Sequence, residues 1–275
     1  MKWSSEADKA VRKAPFFVRK KVRAAIEEYV RKEGRRTVDQ ADVTAAKKQY
    51  LADMSRDIKG YQADTCFGSA GCPRRANPGD DLMGQVQEIL DKADLLSFLK
   101  ETVTGPLRYH HEFRVALADC PNACSQPQIK DMGLIGAVRP GRGQAECSMC
   151  GECYDNCPER AITLDEHSGG PEIDYDRCLS CGQCLRVCPT GTLIEIERGF
   201  RVQLGGRLGR HPRLGLEIPG LLPGLLPGLL NEKQVLAVLR ECLDFYKQNC
   251  RQGQRFAKTI GPDEVKSIAA AVING

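Results

Sequence analysis

The first sixty residues repeat apolar and charged positions with the period of an α-helix. Apolar side chains recur at every fourth position, at Val18, Val22, Ile26 and Val30. Pro15 suits the first turn of this helix, and Gly34 ends the run. The segment "TVDQ", residues 37–40, has the form of a capping box and predicts a second, shorter helix. We therefore predict a separate helical domain over residues 1–58.

Beyond residue 60 the pattern changes to a mixture of helices and strands. Two segments are apolar at helical spacing and predict amphipathic helices, at residues 80–101 and 231–250. Short apolar or alternating runs predict strands at residues 111–118, 131–138 and 199–206. Three copies of "PGLL", residues 219–230, are too rich in Pro and Gly for a helix and predict a loop. The pattern predicts an α+β fold.

Composition adds one outlier, which is the presence of 14 cysteines in 275 residues. The N-terminus has no apolar leader segment, and no apolar run approaches the roughly 18 residues that span a bilayer. We therefore expect a cytoplasmic protein with no membrane span. Regularly spaced cysteines in that compartment are usually metal ligands or catalytic groups. Cys242 and Cys250 share one face of the predicted helix 231–250, so we interpret them as core or free thiols.

Charge is distributed unevenly along the chain. Residues 1–60 carry 16 Lys and Arg against 9 Asp and Glu, whereas the remainder carries 24 against 27. A basic helical segment could dock on an acidic partner, although a solvated helix face is the more ordinary interpretation. No aromatic-interleaved basic motif supports binding of nucleic acid, so we expect none.

Eight cysteines form two copies of one motif. The segments "CSMCGECYDNCP" (147–158) and "CLSCGQCLRVCP" (178–189) are both C-x2-C-x2-C-x3-C-P. Two such runs specify two [4Fe–4S] clusters, with the fourth Cys of each run bound to the other cluster. One cluster is then held by Cys147, Cys150, Cys153 and Cys188, and the other by Cys178, Cys181, Cys184 and Cys157. Structural zinc fits poorly, because it prefers paired C-x2-C without a third nearby Cys.

Four further cysteines lie outside the two runs. Cys66 and Cys72 form a C-x5-C pair, and Cys120 and Cys124 form a C-x3-C pair within "CPNAC". Each pair alone is a weak signal, but together they supply enough thiolates for a third [4Fe–4S] cluster. Alternating residues before the second pair predict that it follows a strand.

The order of these segments resembles the siroheme-containing nitrite and sulfite reductase family. The shared features are C-x5-C, "RVALADCPNAC", "KDMGLIGA", "VQLGGRLGRHPR" and the closing helix that ends in "GQRF". The resemblance implies a siroheme-type domain over residues 60–142 and 198–275. A two-cluster ferredoxin domain, residues 143–197, is inserted as in dissimilatory and anaerobic sulfite reductase subunits. Residues 1–58 resemble the C-terminal domain of the light-independent protochlorophyllide reductase B subunit.

The resemblance also implies roles for individual residues. Cys66, Cys72, Cys120 and Cys124 would hold a [4Fe–4S] cluster, and Cys124 would share its sulfur with the iron of siroheme. Asn122 matches the Asn of the family's turn. Substrate anions need converging cations and proton donors, for which the candidates are Arg114, Lys130, Arg74, Arg75, His110 and His111. Relatives often carry Lys-x-Lys on the strand before "CPNAC", whereas this chain has Glu112 and Arg114.

Three functions remain open at this stage, because the first half-domain of full sulfite reductases is missing. The chain could be a siroheme-containing subunit that reduces a small inorganic anion, sulfite or nitrite, alone or across a dimer interface. It could be a multi-cluster electron carrier that lacks siroheme or substrate chemistry. It could also be a non-enzymatic cluster protein that docks through its basic helical domain. Each function requires an electron donor protein, and the first allows a partner subunit or a homodimer.

Overall fold

A computed structural model of the chain describes residues 1–218 and 228–273. The predicted "PGLL" loop lies outside the described residues, except for its last three positions. The chain divides into two compact units, Met1–Ile58 with Val103–His110, and Lys59–Thr102 with His111–Gly275. Among the described residues, no helix is both long enough and apolar enough to cross a membrane.

The first unit is helical, as the sequence predicts. Its elements are β1 (Lys2–Trp3), α1 (Ser5–Arg12), α2 (Phe16–Lys32), β2 (Thr37–Val38) and α3 (Gln40–Arg56). The two short strands pair in parallel. A small apolar core joins the helices and consists of Ala7, Val11, Ile26, Val30 and Val38. The predicted helix after Pro15 is therefore confirmed, and its apolar face is the buried face.

The capping box of α3 differs from the predicted one by two residues. Asp39 is the N-cap: its side chain accepts a hydrogen bond from Asp42 N at 2.9 Å, and Asp42 Oδ2 accepts one from Asp39 N at 2.9 Å. Thr37 cannot cap the helix because it lies in β2, where the backbone is still extended. Two carboxylates therefore perform the role that the sequence pattern assigned to Thr37 and Gln40.

The second unit contains a five-stranded sheet and a separate hairpin. Its strands are β3 (Tyr61–Thr65), β4 (Phe113–Ala118), β5 (Met132–Arg142), β6 (Ile162–Asp165), β7 (Gly170–Ile173), β8 (Leu193–Leu204) and β9 (Leu216–Glu217). The sheet order is β3-β4-β5-β8-β9, and β6 pairs with β7. The first two contacts are parallel and the last two are antiparallel. The mixed helix and sheet architecture confirms the predicted α+β class.

The strands β5 and β8 are longer than the sequence predicts. Their antiparallel ladder runs from Met132 opposite Leu204 to Arg142 opposite Leu193, with one register shift between Arg139 and Pro140. The strand predicted at residues 199–206 therefore begins earlier, at Leu193, within the insert. This ladder carries the chain out of the sheet and into the cysteine-rich insert, then back again.

Helices cover one face of the sheet. The helices of the second unit are α4 (Asp80–Lys92), α5 (Leu95–Thr102), α6 (Glu152–Asp155), α7 (Gln183–Val187), α8 (Glu232–Asn249), α9 (Phe256–Thr259) and α10 (Pro262–Ile273), of which α6 and α7 belong to the cysteine-rich insert. The buried sheet residues include Val115, Leu117, Met132, Leu134, Val202 and Leu204, which pack with α4 and α8. Because side chains alternate along a strand, the intervening residues point to the opposite face. That second face carries Gln62, Asp64, Arg114 and Gln203.

The predicted helix over residues 80–101 is two helices. Asp94 adopts a left-handed conformation with φ of 45° and separates α4 from α5. Its side chain accepts a hydrogen bond from Ser97 N at 3.4 Å, as an Asp at a helix start does. Gly60 packs against the start of α5, where a Cβ would lie 2.6 Å from Leu96 N, so the close approach requires glycine there. Helical spacing alone could not reveal this close approach.

Cys242 and Cys250 are core thiols, as predicted. Both are buried and reduced, and Cys250 Sγ lies 3.1 Å from Thr259 Oγ1. Burial raises the pKa of both thiols. Val235, Leu239 and Tyr246 are buried on the same helix, so the predicted apolar face of α8 is confirmed.

Candidate functional site

The insert has an internal repeat in structure as well as in sequence. The helices α6 and α7 each begin directly after a glycine in the left-handed conformation, Gly151 (φ 83°) and Gly182 (φ 68°). These glycines lie between the second and third cysteine of each run, where the chain must turn tightly. Cys153 and Cys184, the third cysteines, are buried at equivalent positions.

Cysteines from both runs meet in the first thiol group. Burial raises the pKa of Cys153, and the neighbouring thiols Cys147 and Cys188 raise it further. Cys188 belongs to the second run, so the structure brings it to the first run as the double motif requires. Met149 N donates a hydrogen bond to Cys147 Sγ at 3.3 Å. Cys150 lies in the same turn and is exposed.

The second thiol group has the reciprocal composition. Burial raises the pKa of Cys184 to about 12, and three neighbouring thiols contribute, which are Cys178, Cys181 and Cys157. Cys157 comes from the first run. Backbone amides point at two of the sulfurs, with Ser180 N 3.4 Å from Cys178 Sγ and Ala161 N 3.3 Å from Cys157 Sγ. Such N–H···S hydrogen bonds favour the thiolate form that iron binds.

The second thiol group adjoins the sheet. Val138 of β5 donates its N–H to Ser180 O at 2.8 Å and forms a bridge with Cys181. Gly182 lies so close that a Cβ there would be 2.3 Å from Val138 Cγ1. Tyr175 donates its hydroxyl proton to Pro140 O at 2.9 Å. This seam attaches the inner end of the insert to β5.

The four outer cysteines meet because β3 and β4 are parallel neighbours. Cys66 follows the last residue of β3, and Cys120 follows β4 with one residue between. Burial raises the pKa of Cys120, and the thiols of Cys124, Cys66 and Cys72 raise it further. The structure therefore places close together the four thiols that the resemblance groups. Cys72 and Cys124 are exposed, whereas Cys66 and Cys120 are half-buried.

The turn around "CPNAC" orients Cys124. Asn122 donates its amide N–H to Cys124 Sγ at 3.0 Å, and Ala123 takes the left-handed conformation (φ 54°). Among the residues that the structure describes, no three His, Cys, Asp or Glu side chains stand close enough to hold one metal ion. The thiolates of a [4Fe–4S] cluster each bind a different corner, so they are spaced more widely than the ligands of one ion.

Two of the predicted cations lie on the polar face of the sheet. Lys130 forms an ion pair with Asp64 of β3, with Nζ and Oδ2 2.6 Å apart. Arg114 of β4 donates its backbone N–H to Asp131 Oδ2 at 3.0 Å. In the register of the sheet, Asp64 pairs with Ala116, two residues beyond Arg114, so Asp64 and Arg114 share a face. Both cations therefore lie on the same polar face of β3 and β4.

The other candidate cations and acids have different surroundings. Arg74 is exposed, whereas Arg75 is engaged in ion pairs with Asp119 and Asp80. His110 groups with the first unit and His111 with the second. His111 accepts a hydrogen bond at its carbonyl from Tyr246 Oη at 3.0 Å.

Glu112 lies buried at the start of β4 and serves as a hydrogen-bond acceptor there. It is 3% exposed and accepts hydrogen bonds from Lys59 N (2.9 Å), Gly60 N (3.2 Å) and Gln62 Nε2 (2.6 Å). The carboxylate therefore fastens the start of β3 to the start of β4. Its replacement of a cation is a structural feature of this chain, because a lysine ammonium has no lone pair with which to accept these three bonds.

The burial of two aspartates, Asp119 and Asp131, was not predicted from the sequence. Asp131 accepts hydrogen bonds from Arg114 N and from Ala257 N at 3.3 Å, and so joins β4 to the start of α9. Burial raises the pKa of Asp131 to about 6, against the opposing effects of Arg255 and of the two donated N–H groups. Both aspartates lie in segments shared with the family, Asp119 in "RVALADCPNAC" and Asp131 in "KDMGLIGA", but only the fold shows that they are buried and what they bind.

Comparison with known families gives two matches. The family described as "Nitrite and sulphite reductase 4Fe-4S domain" matches residues 75–268, which is more than half of the chain. The family described as "Proto-chlorophyllide reductase 57 kD subunit" matches residues 3–47. The second match falls within the helical first unit.

Individual relatives agree with the first match. The chain is 27% identical over 162 residues to the Coenzyme F420-dependent sulfite reductase of Methanocaldococcus jannaschii, covering 58% of this chain and 24% of that protein. It is 28% identical over 197 residues to a subunit of the anaerobic sulfite reductase of Salmonella typhimurium, covering 70% and 52% respectively. The chain therefore spans about a quarter and about half of these two relatives.

One solved structure shares the fold. The crystal structure of dissimilatory sulfite reductase I superimposes with a TM-score of 0.51 at 17% identity, covering 77% of this chain and 52% of that one. At this level of identity the similarity concerns the fold, and it agrees with the mixed sheet described above.

Proposed function

Because the chain belongs to the nitrite and sulphite reductase 4Fe-4S domain family, we propose that it is a siroheme-containing subunit that reduces sulfite or nitrite. It is an iron–sulfur protein of the sulfite and nitrite reductase type. In this proposal, two ferredoxin clusters in the insert receive electrons from a donor protein. Cys66, Cys72, Cys120 and Cys124 would hold a third [4Fe–4S] cluster, Cys124 would also bind siroheme, and these groups would supply the electrons for the substrate.

The observation that carries the proposal is the order of the three thiol groups along β5. The group with Cys181 lies against Val138. The group with Cys147 follows the far end of β5, where Gly143 N donates to Thr192 O and Thr192 Oγ1 donates to Glu146 O. Two residues before Val138, Gly136 approaches Asp119 so closely that a Cβ would lie 2.7 Å from its carbonyl oxygen. Asp119 precedes Cys120. The thiol group that contains Cys181 and the outer cysteines are therefore connected through residues 136–138 of β5.

The residues near "CPNAC" fit a siroheme-coupled cluster. The exposed Cys124 sulfur is held by Asn122, and a bridging thiolate must be accessible in this way. When bound, siroheme would supply the iron to which the substrate anion binds and through which electrons reach it. Arg114 and Lys130 would attract the anion and stabilise the negative charge that develops on its oxygens. Lys130 would also exchange its Asp64 partner for the anion.

A complete site requires a second polypeptide or a second copy. In the family that the sequence resembles, siroheme would lie between two related halves, and this sequence carries the features of one of them. The chain covers 52% of the Salmonella typhimurium relative, which is itself named as a subunit. We therefore propose that a partner subunit or a homodimer contributes the remaining cations around the substrate.

The test is the absorption spectrum of the full chain purified without oxygen from cells that make siroheme. We expect a Soret and a red siroheme band in addition to iron–sulfur absorption, and a shift of these bands when sulfite is added. Cys124→Ser should lose the siroheme bands and retain the ferredoxin clusters. Cys250→Ser, in the core next to Thr259, is the matched control and should retain all bands. A wild-type spectrum with only a broad iron–sulfur shoulder would overturn the proposal.

One observation favours the alternative function, an electron carrier that docks to another redox complex. Phe16 and Phe17, at the start of α2, are 79% and 74% exposed and form an edge-to-face pair. Basic residues flank the pair, namely Arg12, Lys13, Lys20 and Lys21. An exposed apolar pair among cations fits a partner surface that is acidic around an apolar pocket.

This alternative is tested by recovering the tagged chain from a native extract under anaerobic conditions. Phe16→Ala with Phe17→Ala should lose a bound partner that the wild-type chain retains. Tyr50→Ala is the control, since Tyr50 is an exposed aromatic residue of α3, also in the first unit. A wild-type chain that recovers no stable partner would count against docking, and a siroheme-free chain that recovers one would favour the electron carrier.

A further inference from the structure

We infer that Asp119 is a positioning residue for the cluster of the outer cysteines, assembling the C-x5-C loop on "CPNAC" and contributing its charge to that cluster. The inference rests on the third cluster of the proposed function and deepens it. Asp119 is 3% exposed and immediately precedes Cys120. It lies outside the cysteine pattern and is not one of the four proposed cluster ligands.

The side chain of Asp119 binds the segment that follows Cys72. Its Oδ2 accepts a hydrogen bond from Arg75 Nε at 2.6 Å, and its Oδ1 accepts one from Gly79 N at 3.2 Å. Arg75 continues to Asp80 through a second ion pair. One carboxylate therefore holds both ends of a five-residue segment against the end of β4.

The backbone of Asp119 binds the same loop. Its carbonyl oxygen accepts hydrogen bonds from Ala76 N and Asn77 N, each at 2.9 Å. Its own N–H points at Cys66 Sγ, 3.4 Å away. The residue therefore contacts both sides of the C-x5-C loop while it is covalently joined to Cys120. This is how two cysteine pairs that are distant in sequence come to face one cluster.

Two glycines pack closely around Asp119. A Cβ at Gly68, inside the C-x5-C loop, would lie 1.8 Å from Asp119 Oδ2. A Cβ at Gly136 of β5 would lie 2.5 Å from Asn77 O and 2.7 Å from Asp119 O. These distances are shorter than real Cβ contacts, so the position of Asp119 requires glycine at 68 and contributes to the requirement at 136.

Charge gives Asp119 a second effect. The reduction potential of an iron–sulfur cluster depends on nearby charge and on hydrogen bonds to its sulfurs. Asp119 supplies both, a buried carboxylate and the N–H that points at Cys66. If the negative charge of Asp119 is removed and Arg75 is retained, the charge beside the cluster becomes more positive. This change would raise the reduction potential of the cluster.

The test is Asp119→Asn in the full chain purified without oxygen, with iron, acid-labile sulfide and a potentiometric titration followed by electron paramagnetic resonance. The outer cluster is identified as the signal that Cys120→Ser abolishes. We expect Asp119→Asn to lower the occupancy of that signal alone and to raise the midpoint potential of the fraction that remains. Wild-type occupancy and potential would overturn the inference. An equal loss from all three clusters would also overturn it, because that result describes a general folding defect.

Two further variants separate geometry from charge. Gly68→Ala places a methyl group against the Asp119 carboxylate, so we expect lower occupancy of the outer cluster with a smaller change in potential. Asp80→Asn removes the exposed second partner of Arg75 and leaves Asp119 intact, so its occupancy should match the wild type. Loss of the outer cluster in Asp80→Asn equal to that in Asp119→Asn would overturn the inference. A wild-type chain with only two clusters would instead refute the proposed function.

Discussion

The two sets of cysteines are assembled in opposite ways. In the insert, three cysteines of each thiol group fall within one run, where tight turns at Gly151 and Gly182 bring them together, and the fourth comes from the other run. The outer pairs are more than fifty residues apart, from Cys66 to Cys120, and meet only because β3 and β4 are parallel neighbours. The first arrangement is local and the second depends on the whole sheet.

This difference explains why the two sets need different support. Local cysteine runs require only permissive backbone, which glycine provides. The outer cysteines require that strands from distant parts of the chain be fixed to each other. Buried carboxylates serve this purpose in three places, where Glu112 and Asp131 bind the first ends of the strands and Asp119 binds their last ends. A buried carboxylate can accept several N–H groups at once, which suits a junction of loops.

The largest expected effect tests the local set. Cys157→Ser should remove the cluster of Cys178, Cys181 and Cys184, although Cys157 belongs to the first run. Cys188→Ser should remove the cluster of Cys147, Cys150 and Cys153, although Cys188 belongs to the second run. The physical reason is that each thiol lies with the opposite run. Iron counts with electron paramagnetic resonance of each variant provide the measurement. Matching losses in Cys157→Ser and Cys147→Ser would contradict this partition.

The second prediction tests the support of the outer set. Glu112→Lys places a buried cation where three donors need an acceptor, so we expect a loss of roughly 3–5 kcal/mol in the free energy of unfolding. Denaturant unfolding of the full chain measures it. Glu101→Lys is the control, because Glu101 is exposed on α5. Unchanged stability in Glu112→Lys together with tighter sulfite binding would contradict the structural role and would indicate that residue 112 lies near the bound anion.

The smallest expected effect concerns pH. The pKa of Asp131 is raised to about 6 in the folded chain, above its ordinary value of 3.8. Its protonation therefore stabilises the fold at low pH, and this stabilisation is lost as the pH rises through about 6. Between pH 7 and pH 5 the wild type should gain roughly 1 kcal/mol relative to Asp131→Asn. Parallel stability profiles of the two chains in that range would show that Asp131 is ionised throughout.

Periodic features were predictable from the sequence, and single junctions were not. The face of α8 that includes Val235 and Tyr246 follows from helical spacing, because the core selects one residue in every three or four. The break at Asp94 does not follow from helical spacing, since it depends on one left-handed residue next to the place where Gly60 approaches the start of α5. The capping box lies at Asp39 rather than Thr37 because β2 occupies the earlier position and pairs with β1.

The candidate site divides along the same line. The cysteine spacing predicted both ferredoxin groups, and the resemblance indicated which four outer thiols lie together. Asp119 and Asp131 lie in the segments shared with the family, but their burial and contacts, like those of Glu112, were not predictable, because one buried carboxylate leaves no periodic trace in a sequence. Arg75, a candidate for binding the substrate, is instead held in ion pairs with Asp119 and Asp80.

The most direct test of the central claim is an iron and acid-labile sulfide count on the wild-type chain purified without oxygen. The claim is that the four outer thiols hold a cluster in addition to the two in the insert. Three [4Fe–4S] clusters require about 12 iron and about 12 sulfide atoms per chain, with one further iron if siroheme is bound. A count of about 8 of each, with both ferredoxin signals at full intensity, would contradict the claim.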